Sequence, residues 1–297
     1  MFFCTDVCAI KNNVLYLYTF NSKRNIMFIG TKLQYTTKAN AYRDLKVSYL
    51  GSVAQSTKLL HSLQEKKIAT YGTYLAPADL SGYNVCPNNT MCKEHCLFGS
   101  GHTKLDILSG TNRNVNSRIR KTRLFFENRE YYMQLLIAEI QMHKNAAAKK
   151  GLEFSVRLNC TSDINIALFN YKGQNITEIF PDVQFYDYTK VPAYIKNVKR
   201  FNNFDLTFSY NGANWDECQK ALDNNVRVAV VFEGKLPQSY RGIPVIDGDK
   251  YDARYYDAKD VIVGLKFKVT ASSIKNNKFV MPDTPFVVKL NDVNAKY

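Results

Sequence analysis

A chain of 297 residues with 45% hydrophobic content is long enough to bury a sizeable core, as one large domain or two modest ones. Charged residues at 22% and a mean hydropathy of −0.31 exclude a chiefly membrane-embedded protein, and no run approaches the roughly 20 apolar residues that a bilayer-spanning helix needs. Forty Lys and Arg against 26 Asp and Glu leave a net charge of +14, which puts polyanions, nucleic acid first, at the head of the partners to expect; spread along the chain, the same excess also serves solubility.

The opening MFFCTDVCAI lacks a basic flank and is followed by polar KNN, so it makes a poor signal peptide, and residues 1–27 read either as a native start or as an extension before Met27. Residues 14–36 alternate apolar and aromatic runs with NSKRN and Gly30, the pattern of a small β-rich unit. Over 52–67, Val53, Leu59, Leu60 and Leu63 share one side of a short amphipathic helix for which Ser52 offers a cap. IATYGTYLAP at 68–77 reads as a strand halted by Pro77. The spacing of Leu124, Phe125, Tyr132, Leu135, Leu136, Ile140 and Met142 predicts one long helix over 116–150, stopped at Gly151.

Six short β-branched or aromatic runs follow, at 154–159, 183–188, 204–210, 226–232, 243–247 and 261–268, the earlier ones separated by helical or loop segments. Continuous apolar strands alternating with helices predict an α/β fold, a parallel sheet covered on both faces. The connections between 232 and 261 are too short for regular crossover helices, so the expected architecture is an incomplete or irregular (β/α) barrel-like sheet. It divides into a small N-terminal β-rich extension with a short helix (1–67), the core (68–270) and a C-terminal capping tail (271–297).

The densest chemical signal is YNVCPNNTMCKEHCLFGSGH, residues 83–102, which gathers three of the seven cysteines and two of the four histidines. Cys86, Cys92 and Cys96 stand at a C-x5-C-x3-C spacing, with His95 and His102 as candidate fourth ligands. With a histidine the set suits tetrahedral zinc; with thiolates alone it suits an iron–sulfur cluster with one open iron, and the spacing does not choose between them. The plain alternative is a group of separate reduced thiols, in keeping with an odd cysteine count and a reducing cytoplasm.

In parallel α/β architectures, functional groups collect where the carboxyl ends of the strands meet. Here those ends supply Arg157, Asn159 and Asp163, then Asp187 and Lys190, then Ser209, and finally Asp247 and Asp249. Asp163 and Asp187 are the candidate acid/base or nucleophilic groups, Arg157 and Lys190 the anion clamps, and Asn159, Ser209, Asp247 and Asp249 the candidate cofactor contacts. Asp247-Gly248-Asp249 is equally a turn. Arg118, Arg120, Lys121 and Arg123 on the long helix form either a phosphate-gripping face or a solvated basic one. Dinucleotide, P-loop, zinc-protease and serine-hydrolase motifs are absent from the sequence.

The blocks YLAPADLSGYNVCPNNTMCKEHCLFGSG, IRKTRLFFENREYY, VRLNCTSDI, VQFYDYTK, LTFSYNG and VIDGDKYDARYYDAKDVIVGLK resemble the phage-encoded gene product eighty-eight family, from about Tyr74 to Lys268. The resemblance implies a viral origin and action in the host cytoplasm, and carries no established reaction. A looser architectural likeness is to radical S-adenosylmethionine barrels, whose cysteine triplet also follows the first strand; it implies S-adenosylmethionine as co-substrate, although the usual C-x3-C-x2-C spacing is not kept. The leading expectation is thus a phage metalloenzyme that modifies nucleic acid or a nucleotide precursor. Two alternatives stand beside it: a deazaguanine transglycosylase-like, base-exchanging enzyme with structural zinc, and a non-catalytic protein that binds nucleic acid or a host partner.

Overall fold

The computed structural model describes residues 49–289, together with the backbone of four short strands nearer the start of the chain, Ala9–Lys11, Val14–Tyr16, Thr19–Asn21 and Asn25–Met27. These four pair as two antiparallel hairpins, in keeping with the strand pattern read from residue 14 onward; Cys4, Cys8 and residues 28–36 lie outside the described residues.

A ten-stranded sheet organises the rest of the chain. In chain order its elements are β1 (Gly51–Val53), α1 (Thr57–Lys66), β2 (Ile68–Thr73), α2 (Gly101–Leu108), α3 (Arg113–Glu127), α4 (Arg129–Ala148), β3 (Glu153–Arg157), α5 (Ile176–Ile179), β4 (Gln184–Thr189), α6 (Asn197–Arg200) and β5 (Phe204–Ser209). There follow α7 (Trp215–Asp223), β6 (Arg227–Phe232), β7 (Ser239–Tyr240), β8 (Ile243–Asp247), β9 (Ile262–Lys266) and β10 (Val287–Val288). The strand order is β7-β8-β9-β6-β5-β4-β3-β2-β1, with β10 added to β6 beyond the end of β5. All pairings are parallel except those of β1 and β7, which run antiparallel at the two edges.

A mostly parallel α/β sheet is therefore present, whereas its hydrogen-bonded path stays open among the described residues instead of closing into a barrel. Right-handed crossovers lay β2 to β6 side by side. After β6 no crossover helix follows, and the β7–β8 hairpin and residues 248–260 occupy the chain where further strand–helix units would be needed for closure.

The two faces of the sheet differ in chemistry. Because side chains alternate along a strand, the register puts Val156, Phe185, Leu206 and Phe208 on one face, packed against Tyr132, Leu135, Leu136 and Ile140 of α4 and Cys218 and Ala221 of α7. The other face presents Thr70, Ser155, Arg157, Tyr186, Asp205 and Arg227 and lies beneath residues 248–260. That segment fastens itself by polar bonds: Tyr186 donates to Asp252 at 3.0 Å, Arg227 Nε to the Asp257 carbonyl at 3.2 Å, and Tyr255 to Glu153 at 3.0 Å. The Asp252 backbone N–H in turn donates to Ser62 of α1 at 2.9 Å.

Two helix boundaries depart from the periodicity. The helix expected over 116–150 is two helices, α3 and α4, parted at Asn128 (φ −142°, ψ 68°), whose side chain accepts from the Tyr131 N–H and so starts α4 afresh. The cap of α1 is Ser56 rather than Ser52, which belongs to β1. Among the described residues no helix is long and apolar enough to cross a membrane.

Candidate functional site

The chain leaving β2 forms the cysteine loop, and bonds from the neighbouring strand ends hold it on the carboxyl rim of the sheet. Thr161 donates to the Leu75 carbonyl at 2.6 Å, the Asp163 N–H to the Val85 carbonyl at 2.7 Å, and Asn88 Nδ2 to the Lys190 carbonyl at 2.9 Å. Further along, Gly212 (φ +104°) passes so close to the loop and the tail that a Cβ there would stand 2.8 Å from the Phe286 nitrogen and 3.2 Å from Met91 Sδ.

These bonds bring Cys86, Cys92 and Cys96 around the ammonium of Lys190. Burial alone would lower the Lys190 pKa, but Cys92, Asp163, Cys96 and Cys86 together outweigh it and hold the ammonium charged. Burial pushes the Cys86 thiol up to about 12 and raises Cys96 as well, so both are protonated at neutral pH in the protein as it stands. The histidines do not join them: the His95 ring packs on Phe267 at 6.3 Å, and His102 is exposed in the first turn of α2. Among the described residues no group of three or more His, Cys, Asp or Glu side chains is arranged to hold a metal ion.

Asp163 and Asp187 follow consecutive strands of the same rim but occupy different depths. Asp163 is partly exposed, accepts from Thr189 Oγ1 at 2.7 Å and the Lys190 N–H at 2.8 Å, and is raised by burial. Asp187 is 3% exposed, and burial raises it to about 7 although Arg157 and the Asn159 N–H and Nδ2, at 2.9 and 3.0 Å, favour its charge. Both line a cavity of about 10 Å³, the size of one water molecule.

The remaining candidates are engaged in structure. Arg157 Nη1 donates to both oxygens of Asp252, at 3.0 and 2.8 Å, and its guanidinium lies 4.6 Å from the Tyr188 ring centre, so the expected clamp already holds an anion. Asn159 spends its side chain on Asp187, Ile164 and Ser162. Ser209 is buried, and its carbonyl accepts from Asn214. Asp247 accepts from the Asp249 N–H, while Asp249 pairs with Lys58 and Lys268 at 3.2 Å each. Neither of these acids joins the thiols in any bond or ion pair.

The basic stretch of α3 is not one solvated face. Arg120 and Arg123 are exposed, but Lys121 is 9% exposed, with burial first and then Arg118 and Arg120 bringing it down to about 8. Arg118 turns inward. Its guanidinium lies between the rings of Tyr74 (5.4 Å) and Phe98 (4.9 Å), Nη2 donates to Thr103 at 3.1 Å, and it interacts electrostatically with Cys160 and Cys96. A feature that composition alone could not disclose is a surface groove of about 340 Å³ between the chain after β4 and α7, lined by Pro192, Ile195, Lys196, Lys199, Glu217 and Lys220. Its lysines come from three separate turns and make no local motif.

Fold and site together define a mostly parallel α/β protein whose strand-end rim is lined with thiols around one lysine. Over residues 45–280 the chain matches the family described as Gene product 88, a phage family, and it belongs to that family. No curated protein and no solved structure matches it.

Proposed function

We propose that the thiol-lined rim is the active centre of a phage enzyme that modifies nucleic acid or a nucleotide precursor, with Cys86, Cys92 and Cys96 as ligands to zinc or an iron–sulfur cluster. The observation that carries this reading is the convergence of all three loop thiols on the Lys190 ammonium, on the rim that also holds Asp163. The donor set fits such a group in kind, since three buried sulfurs are soft ligands and an adjacent ammonium offsets the charge of thiolates. When bound, the metal would supply Lewis-acid or electron-transfer chemistry. Of the carboxylates, Asp163 is the proton-transferring group, because it is the partly exposed one; Asp187, behind it, orients Asn159 and the turn that presents Asp163.

The nucleic-acid part of the reading is supported by the groove. It begins at Pro192, two residues beyond Lys190, and carries Lys196, Lys199 and Lys220 against the single acid Glu217. A strand lying along it would release counterions, so binding should weaken steeply with salt. The non-catalytic reading shares that salt dependence and differs in requiring no metal.

Metal analysis with a visible absorption spectrum after anaerobic purification tests the centre. The expected result is a stoichiometric metal that is lost in Cys92→Ser; metal content equal in the wild type and all three Cys→Ser variants would overturn the assignment.

A further inference from the structure

Two cations at this rim have no carboxylate partner among the described residues. Arg118 has buried its Nη1 with no hydrogen-bond acceptor, and its only polar bond runs from Nη2 to Thr103. The Lys190 ammonium makes no ion pair, although its backbone is fixed on both sides by Asp163 and Asn88. Both side chains reach Cys96, each interacting electrostatically with that thiol, so they approach one place from α3 and from the end of β4. The other buried guanidiniums of the molecule, Arg157, Arg227 and Arg254, each sit on an aspartate at 2.8, 2.7 and 3.0 Å.

A buried charge without a counter-ion is strongly unfavourable, and a buried donor without an acceptor adds its own desolvation cost. Burial lowers the Arg118 pKa, and its neighbours there are a phenol and thiols rather than carboxylates. The rings of Tyr74 and Phe98 hold the guanidinium plane in position but offer no charge to neutralise it. What is missing is an anion with oxygens on more than one side, able to accept from the Arg118 fork and to meet the point charge of Lys190. A phosphate group has that geometry.

We propose that Arg118 and Lys190 form a receptor for a single phosphate group at the thiol-lined rim, so that the substrate presents a phosphorylated nucleotide unit, free or within a strand. This rests on the reading of that rim as the substrate site. It gives Arg118 a role distinct from Arg120 and Arg123, whose exposure suits them only to peripheral contacts with a longer polyanion.

The test is titration calorimetry of the full chain with inorganic phosphate, in the wild type and in Arg118→Gln, Arg118→Lys and Lys190→Gln, with metal content and circular dichroism recorded for each. Phosphate binding should weaken at least tenfold in Arg118→Gln and in Lys190→Gln, with only partial recovery in Arg118→Lys, which keeps the charge and loses the fork. If Arg118→Gln fails to fold, Thr103→Val serves instead, since it removes only the hydroxyl that orients the guanidinium, and should weaken phosphate binding severalfold. A single-stranded oligodeoxynucleotide that competes with phosphate identifies a strand as the source of the group; binding without competition identifies a free phosphorylated molecule; either upholds the receptor. No phosphate binding by the wild type, or unchanged binding in a folded Arg118→Gln, overturns it. Loss of the metal assignment with phosphate binding intact would sink the thiol reading alone.

Discussion

Asp187 carries the clearest pH signature of any side chain in the molecule. Burial raises it from 3.8 to about 7 against the pull of Arg157 and Asn159, so between those values the folded chain holds a proton that the unfolded chain has released. Stability contributed by this group is full below about pH 4 and is lost as pH rises toward 7, by up to about 4 kcal/mol. In Asp187→Asn the fall in melting temperature across that interval should flatten, and a wild-type slope would refute the account. Asp252 has the opposite sign: burial would raise it, yet Arg157, Lys58 and Arg254 hold it below the ordinary carboxylate value, and its contribution disappears only as pH falls below about 4. Glu139, wholly buried on α4, accepts from the Leu50 and Gly51 N–H groups at 3.1 Å and from Tyr71 Oη at 2.8 Å. Glu139→Ala should cost about 3 kcal/mol in urea unfolding by leaving those donors unmet. No pattern in the sequence separates this acid from the exposed Glu130 on the same helix, because its partners come from a strand nearly ninety residues away.

The strand segments were legible because buried parallel strands concentrate Val, Ile, Phe and Tyr into short runs, and β2 to β6 and β9 lie within a residue or a few of the expected limits. The break between α3 and α4 was not, since Leu124, Phe125, Tyr132 and Leu135 keep helical spacing across Asn128 while the backbone resets beneath them. Barrel closure was overread for a related reason: apolar runs reveal that strands exist, but not which strand ends the sheet. The loop from β5 to α7 shows how one position can join distant elements. At Gly212 the positive φ and the contacts to Pro285, Phe286 and Met91 leave no room for a side chain. Gly212→Ala should therefore destabilise the protein by about 1–3 kcal/mol and speed amide exchange at Val287 and Val288 of β10; protection equal to wild type there would show that the tail is held by other means.

Across the whole molecule, charge is distributed in two regimes. One sheet face buries the chain of ion pairs Arg157–Asp252, Arg254–Asp257 and Arg227–Asp205 under residues 248–260, and those pairs tie the last third of the core to β3, β5 and β6. Removing one partner of a buried pair is far worse than never having had it, so Asp252→Ala should lower stability by roughly 3–5 kcal/mol, measured by calorimetric unfolding at neutral pH; a loss under 1 kcal/mol would mean that Arg157 finds another anion. The second regime is the exposed excess of lysine that composition announces but cannot locate. The strand-end candidates were correctly gathered toward one rim by topology, yet Arg157, Asn159 and Asp249 proved to be already partnered, because partners such as Asp252, Asp187 and Lys58 are chosen by folding and not by spacing along the chain.

Asn88 is fastened to Lys190 across 102 residues, and Ser272 donates to the Glu94 carbonyl across 178. The clasps of the cysteine loop are therefore all synthesised well after the loop itself. During translation Cys86, Cys92 and Cys96 meet the cell's oxidants as bare thiols before the residues that later cover them exist, which makes the nascent chain, rather than the finished protein, the stage at which this site is most easily spoiled.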